Sequence, residues 1–263
     1  MTKNHRKKNT GMSHNDNTPL QTLILAAGKG TRMGSDLPKV LHTIHGRPLL
    51  DYVIDAALKI RSENVIVIIG HQADLVRETF AGRNLIFVEQ LEQLGTGHAV
   101  LQARHVLSHY QGNILILCGD VPLLSAEILQ QFIAEHVSSH ASLSVLTTLL
   151  DDPQGYGRVV KKEGTQKIVR IVEERDAAPE ERLIKEINTG IYLVECSFLL
   201  DAVSRITNTN KQKEYYLTDI VEIANGDGLS VHACLTADAQ SVMGINTPED
   251  LQRAEFYHRP ENH

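Results

Sequence analysis

Residues 22–33 read TLILAAGKGTRM, a short and almost wholly apolar run that breaks into a glycine-rich, cationic loop. Five residues are too few for a stable helix, and a continuous apolar run of that length suits a strand covered on both faces. In an open α/β sheet, ligands sit at the carboxyl ends of the strands, where Gly28 and Gly30 fall. Glycines there let backbone N–H groups approach anionic oxygens closely. Two familiar phosphate loops fail on spacing. Gly28, Gly30 and Gly34 give G-x-G-x-x-x-G in place of the dinucleotide fingerprint G-x-G-x-x-G, and the second strand runs into Gly70-His71 without an acidic ribose ligand. The P-loop needs a second glycine where Met33 stands. What remains is a loop with Lys29, Arg32 and, after Leu37-Pro38, Lys39 against the single acid Asp36. That local excess of cations suits a triphosphate.

Working outward, short apolar runs at 22–26, 65–69, 85–88 and 113–118 alternate with helical patterns at 48–61, 72–80, 98–110 and 126–140, the signature of β-α-β units. In the first helix Leu49, Leu50, Val53, Ile54, Ala57 and Leu58 form one apolar stripe. After a strand at 142–149 the texture changes to glycine-containing β segments at 157–161, 167–173 and 186–196, then to helices at 197–206 and 216–224. The expected fold class is α/β: a Rossmann-like open, mostly parallel sheet flanked by helices, with a smaller mixed β lobe closing one side of a cleft. The expected organisation is a basic, disordered tail over 1–19, with Lys3, Arg6, Lys7 and Lys8 against Asp16, and one domain over 20–263. Within that domain, 20–150 form a nucleotide-binding part, 151–245 a second part and 246–263 a C-terminal helix.

Composition narrows the function classes. The 263 residues are 42% hydrophobic, ample for a sizeable core, and 26 basic against 32 acidic side chains leave a net charge of −6. A general nucleic-acid-binding surface is therefore not expected. Cys118, Cys196 and Cys234 are odd in number and form no C-x-x-C pair, which argues against a disulfide framework and a structural zinc site and points to a reducing cytoplasm. No apolar run approaches the roughly 18 residues that span a bilayer, so no membrane insertion is expected. His105 and His109 have helical i, i+4 spacing but lack H-E-x-x-H or cysteine partners, so they read as helix surface.

Further motifs stand in order along the chain: Gln90 with Gly95-Thr96-Gly97-His98-Ala99, Gly119-Asp120-Val121-Pro122-Leu123, Gly155-Tyr156-Gly157-Arg158, Glu173, Glu186-Ile187-Asn188-Thr189-Gly190, Tyr215-Tyr216-Leu217-Thr218-Asp219 and Gly244-Ile245-Asn246. With Leu25-Ala26-Ala27-Gly28-Lys29-Gly30-Thr31-Arg32-Met33 they resemble, over roughly residues 20–255, the nucleotidyltransferases that join a nucleoside triphosphate to a sugar 1-phosphate. The order is that of the N-acetylglucosamine-1-phosphate uridyltransferases. The resemblance implies a nucleotide-diphospho-sugar transferase fold, the substrates UTP and N-acetylglucosamine 1-phosphate, a Mg²⁺ cofactor and a cytoplasmic enzyme of cell-envelope precursor synthesis. It places Ala26, Ala27, Gly28, Gln90, Gly95 and Thr96 around the uridine, Gly157, Glu173 and Asn188 around the N-acetylglucosamine moiety, and Leu25 and Gly119 among the substrate-binding residues. Lys39 contacts the phosphates, Arg32 and Lys29 face the departing pyrophosphate, and Asp120 and Asn246 bind Mg²⁺, with Arg32, Lys39 and Asp120 as the catalytic set.

Bifunctional relatives continue into a left-handed β-helix of hexapeptide repeats, and no such repeat precedes His263. Acetyltransferase activity and the trimer built by that β-helix are accordingly not expected, and a separate acetyltransferase or mutase is expected upstream. Two other readings stay open: transfer to another base or sugar, such as a cytidylyltransferase, and a non-catalytic sugar-nucleotide sensor. Retention of Asp120, Lys39 and Arg32 counts against the sensor.

Overall fold

A computed structural model describes residues 19–258. The expected basic tail, apart from Pro19, and residues 259–263 of the expected C-terminal segment lie outside the described residues. Strand β1 (Leu20–Ala26) leads through the glycine loop and two short 3-10 turns to the hairpin β2 (Thr43–Ile44) and β3 (Arg47–Pro48) and to helix α1 (Leu49–Lys59). Then follow β4 (Val65–Ile69), α2 (Ala73–Thr79), β5 (Ile86–Glu89), α3 (Thr96–Gln102), α4 (Arg104–Leu107) and β6 (Asn113–Cys118). The chain goes on through α5 (Ala126–Ser139), β7 (Leu143–Leu149), β8 (Arg158–Lys161), β9 (Ile168–Val172), β10 (Glu186–Glu195) and α6 (Cys196–Arg205). It closes with α7 (Ile220–Gly226), β11 (Val231–Thr236) and α8 (Pro248–Tyr257).

The main sheet runs β11-β7-β10-β6-β1-β4-β5, with β8 and β9 branching from β10. Strands β6, β1, β4 and β5 are parallel, and β10 is antiparallel to both neighbours. Residues 151–245 thus add strands to the same sheet and form a mixed antiparallel extension only at β8 and β9.

Period-two alternation sends the strand side chains into two cores. Leu23, Ile66, Ile68, Ile114, Ile116, Tyr192 and Val194 pack under α3, α6 and α7. Ile24, Val65, Val67, Ile69, Leu115, Leu117, Ile191 and Leu193 pack under α1, α2 and α5. Each such side chain contributes about 1.5–3 kcal/mol, which explains why β4, buried at all five positions, reads as a continuous apolar run. Helix α5 begins at Ser125, whose hydroxyl accepts the Ile128 N–H at 3.3 Å.

Three differences from the sequence expectations have local causes. The helix expected over 98–110 is two: Ala103, with ψ near 0°, closes tight i→i+3 turns at Ala103 N–H to Val100 O and Val106 N–H to Ala103 O, both 3.0 Å. Helix α4 ends at Leu107, so His105 and His109 share no helical face. The helix expected over 216–224 starts as a 3-10 turn (Leu217–Asp219) that feeds α7. Strand β11 was not expected: as an edge strand carrying His232 and the exposed Leu235, it lacks a strong apolar signal.

Asp219 ends that 3-10 turn half-buried, and burial, with Glu222 and Asp176 as like-charged neighbours, pushes its carboxyl from 3.8 up to about 6. Because the folded state holds this proton more tightly than the unfolded chain, the charge costs stability as pH rises from about 4 to about 6. Asp219→Asn should melt at a higher temperature than the parent at pH 7, with the gain disappearing at pH 4. An equal gain at both pH values would show that the carboxylate charge is not the cause.

Candidate active site

The carboxyl ends of the parallel strands build one shelf. The register pairs Leu25 with Ile68 and with Cys118, and Ile69 with Glu89, so Ala27, Gly70, Gln90 and Gly119 come level just beyond the sheet. Backbone bonds tie them there: Gly119 N–H to Leu25 O at 2.9 Å, Gln90 N–H to Ile69 O at 2.8 Å and His71 N–H to Ala27 O at 3.4 Å. The shelf is tight, since a Cβ on Gly119 would lie 3.2 Å from Leu25 O.

Above it, the glycine loop folds back on the next segment. Gly30 has φ +64°, and a Cβ there would fall 2.6 Å from Lys39 Cβ, so only glycine allows this close approach. Gly28 faces open space, and Lys29 and Arg32 are exposed. Lys39 forms an ion pair with Asp120, on the turn after β6, with both side chains less than a fifth exposed (18% and 14%). Lys39 Nζ also donates to Asn246 Oδ1 at 3.1 Å, and Arg32 donates to the same oxygen at 2.8 Å.

Asn246 is placed by its surroundings. Its backbone N–H donates to Asp250 Oδ2 at 2.9 Å within the capping box of α8, and its Nδ2 donates to Gly244 O at 3.2 Å. That leaves Oδ1 aimed at the cations. Ile245 N–H binds Asp120 O at 2.8 Å and joins the loop before α8 to the end of β6. Arg32, Lys39, Asp120 and Asn246, widely separated in the chain, form one cluster. A cavity of about 510 Å³, lined by Arg32, Tyr156, Gly244 and Asn246 among others, opens beside it.

A second cluster surrounds Gln90, which is 3% exposed. Its Nε2 lies 3.1 Å from Gly95 O and 3.0 Å from His98 Nδ1. A carbonyl only accepts, so the amide nitrogen must face Gly95, and the second amide proton goes to the Nδ1 lone pair. On the other side of the ring Gln102 Nε2 donates to the His98 backbone carbonyl at 3.2 Å and lies 3.0 Å from His98 Nε2. Both Gln90 amide protons are thus used within the protein, and its Oε1 is left as the acceptor. Gly95 has φ +111° and no room for a Cβ, which would meet Tyr215 O at 2.6 Å. The Thr96 hydroxyl accepts the Leu217 N–H at 3.0 Å and so holds the turn before α7.

The third cluster comes from β8, β9 and β10. Asn188 N–H donates to Gly157 O at 2.9 Å, and a Cβ on Gly157 would lie 3.5 Å from Glu173 Oε1. The bulge in β10 between Asn188 and Tyr192 lets the Asn188 amide donate to Tyr192 Oη at 2.7 Å while its Oδ1 accepts the Gly190 N–H at 3.0 Å. Glu173 accepts from the Thr218 hydroxyl at 3.3 Å, and its burial raises its carboxyl pKa. Arg158, 2% exposed, pairs with Glu174 at 2.7 Å, and Glu174 also accepts the Gly155 N–H at 3.0 Å, bracing the Gly155–Tyr156 loop. Cys118 Sγ donates to Gly190 O at 3.5 Å, linking β10 to the strand end that carries Asp120. Burial pushes the Cys118 thiol up to about 12, in keeping with a packing role.

The geometry adds His98, Tyr192 and Thr218 to the expected residues. His98 and Thr218 stood inside quoted motifs without a role. Tyr192 and Thr218 hold Asn188 and Glu173 from behind, and only the bulge and the α7 turn bring them there.

Comparison with known proteins agrees with this architecture. Residues 22–183, more than half of the chain, match the MobA-like NTP transferase domain family. The bifunctional protein GlmU of Geobacter metallireducens is 50% identical over 237 residues, covering 89% of this chain and 49% of that protein. The GlmU proteins of Saccharophagus degradans and Bacillus licheniformis are 47% and 42% identical, each over about half of their own length. The chain thus spans about half the length of the curated relatives it matches. A crystal structure of a putative glucose-1-phosphate thymidylyltransferase from Bacillus anthracis, in complex with a sucrose, shares the fold at a TM-score of 0.70 and 19% identity, covering 93% of this chain and 97% of that one. With a strand-end glycine loop facing an Asp–Asn–Lys–Arg cluster, and with that match, the chain belongs to the MobA-like NTP transferase family.

Proposed function

We propose that this chain transfers the uridylyl group of UTP to N-acetyl-α-D-glucosamine 1-phosphate, giving UDP-N-acetylglucosamine and pyrophosphate. The observation that carries the reading is the convergence of Asp120 and Asn246 side-chain oxygens on one ammonium, beside a glycine loop that also supplies Arg32. The likeness to GlmU proteins over about nine-tenths of the chain supports it.

A phosphate oxygen of the sugar phosphate attacks the α-phosphorus of UTP, and the bond from that phosphorus to the bridging oxygen of pyrophosphate breaks. The attacking oxygen is already anionic, so neither an enzyme nucleophile nor a general base is needed. The barrier is repulsion between anions and charge on the leaving group, which positioning and fixed cations reduce. A cation about 4 Å from a phosphate oxygen contributes about 4 kcal/mol at an effective dielectric near 20. Lys39 is placed for the phosphates, and Arg32 and Lys29 for the leaving pyrophosphate.

A divalent cation, Mg²⁺ in our reading, fits the donor set: two hard oxygens, Asp120 Oδ2 and Asn246 Oδ1, already face one positive charge, with Gly244 giving the carboxylate room. When bound, that ion supplies charge neutralisation for the phosphates. Gln90 Oε1, Gly95 and Thr96, with Leu25, Ala26, Ala27, Gly28 and Gly119 as the shelf, form the uridine side. Gly157, Glu173 and Asn188 form the sugar side, so 20–150 and 151–245 divide the two substrates. Gln90 Oε1 as an acceptor matches the N3–H of uracil, whereas N3 of cytosine is itself an acceptor. No described helix is long and apolar enough to cross a membrane, and we place the enzyme in the cytoplasm.

Pyrophosphate release with Mg²⁺, measured across UTP, CTP, dTTP and ATP with N-acetylglucosamine 1-phosphate and glucose 1-phosphate, tests the assignment. We expect UTP with the N-acetylated sugar to be preferred. Equal rates with CTP would favour another base specificity, and tight UDP-N-acetylglucosamine binding without turnover would favour a sensor. Asp120→Asn should lower kcat by about two to three orders of magnitude while the variant keeps the parent's circular-dichroism spectrum; unchanged turnover would remove Asp120 from the site. Asn188→Ala and Glu173→Gln should raise KM for the sugar phosphate more than KM for UTP, and the reverse would exchange the two half-sites. His98→Phe should raise KM for UTP by up to about tenfold and narrow the preference for UTP over CTP, as loss of one orienting hydrogen bond requires. A preference equal to the parent's would detach His98 from base selection.

A further inference from the structure

Away from the cleft, at the opposite edge of the sheet, Glu135 of α5 meets His232 and Cys234 of β11, and one ligand atom from each lies within 4.8 Å of the other two. We propose that these three side chains form a zinc site that ties α5 to the edge strand. The argument begins with the strand: positions 232 and 234 share one face, the same face that sends Cys234 into the core beneath α5. Glu135 sits on the last turns of α5, oriented by Gln131 Nε2, which donates to Glu135 Oε1 at 3.1 Å.

Carboxylate, imidazole and thiolate are together the donor types that suit a borderline-soft divalent ion, and zinc takes all three. Zinc bonds of about 2.0–2.3 Å set tetrahedral edges of about 3.3–3.7 Å, so side-chain rotations that close roughly 1 Å complete the set, with water as the fourth ligand. The Cys234 thiol already meets the Glu135 carboxylate, a pair that a divalent ion would bridge. The half-buried His232 ring has no hydrogen-bond partner among the described residues, and no lysine or arginine among them pairs with Glu135. Charge also balances: a carboxylate and a thiolate neutralise the ion, with neutral imidazole as the third ligand. The Cys234 thiol gives up its proton to solvent on binding. Sequence spacing hides this site, because Glu135 is far along the chain from the H-x-C pair.

The site is independent of nucleotidyl transfer, so its test needs no substrate. Chelator-stripped, tag-free full-length protein is titrated with Zn²⁺ against a chromophoric chelator, with excess Mg²⁺ present to occupy Asp120 and Asn246. The expected result is one equivalent of tightly held zinc and a melting temperature raised by at least about 2 °C. His232→Ala and Glu135→Gln, both at partly exposed positions, should weaken binding at least about tenfold while keeping the parent's melting temperature without metal. Cobalt loading of the parent should give a thiolate charge-transfer band that the near-isosteric Cys234→Ser lacks. Absence of a stoichiometric zinc, equal affinity in His232→Ala, or a cobalt spectrum without the thiolate band would each overturn the proposal.

Discussion

The Lys39–Asp120 ion pair, shared with Asn246, is the interaction on which the arrangement of the cleft depends. It joins three places the topology keeps apart: the segment after the glycine loop, the end of β6 and the approach to α8. Both partners are mostly removed from water, so each would carry a large desolvation cost alone, and each holds the other in place. Gly30 is the steric condition for this pair, because any Cβ there would drive the loop away from Lys39.

From that anchor the rest of the cleft follows by register. Strands β1, β4, β5 and β6 end level, so the residues just past each end form a continuous backbone surface. Side chains reach it only where a turn, a helix start or a bulge redirects them: Asp120 on the turn after β6, Asn246 at the capping box of α8, Asn188 at the bulge of β10. The apolar strand interiors make the surface rigid, and the polar chemistry is confined to its rim.

Much of this was legible in the sequence. The β4 and β6 segments have the boundaries that their apolar runs suggested, because strands buried on both faces leave an unmistakable composition. The glycine loop with its three cations was readable as an anion site by residue type alone. Separate roles for Asp120, Asn246, Glu173 and Asn188 came from family resemblance, since a lone Asp or Asn is also an ordinary turn or capping residue. The structure brings Asp120 and Asn246 together through Lys39, and Asn188 and Glu173 together at Gly157. Less legible were β11, whose edge position mixes polar and apolar residues, and the split of the helix after Gly95, where one alanine changes its ψ. The partners behind the rim, His98, Tyr192 and Thr218, act across distances in space that no local pattern encodes.

Strand β10 has a mechanical consequence. Asn188 stands near its start, while a few positions later Ile191 and Leu193 are fully buried and Tyr192–Val194 pair with both β7 and β6. Asn188 therefore cannot swing away without breaking ladder hydrogen bonds in the middle of the sheet. The connections around the site carry less core: Leu91, between β5 and α3, is 80% exposed, and Leu149 at the start of the link from β7 to β8 is 55% exposed. The floor of the site is thus built into the sheet, and exposed apolar side chains are left to its margins.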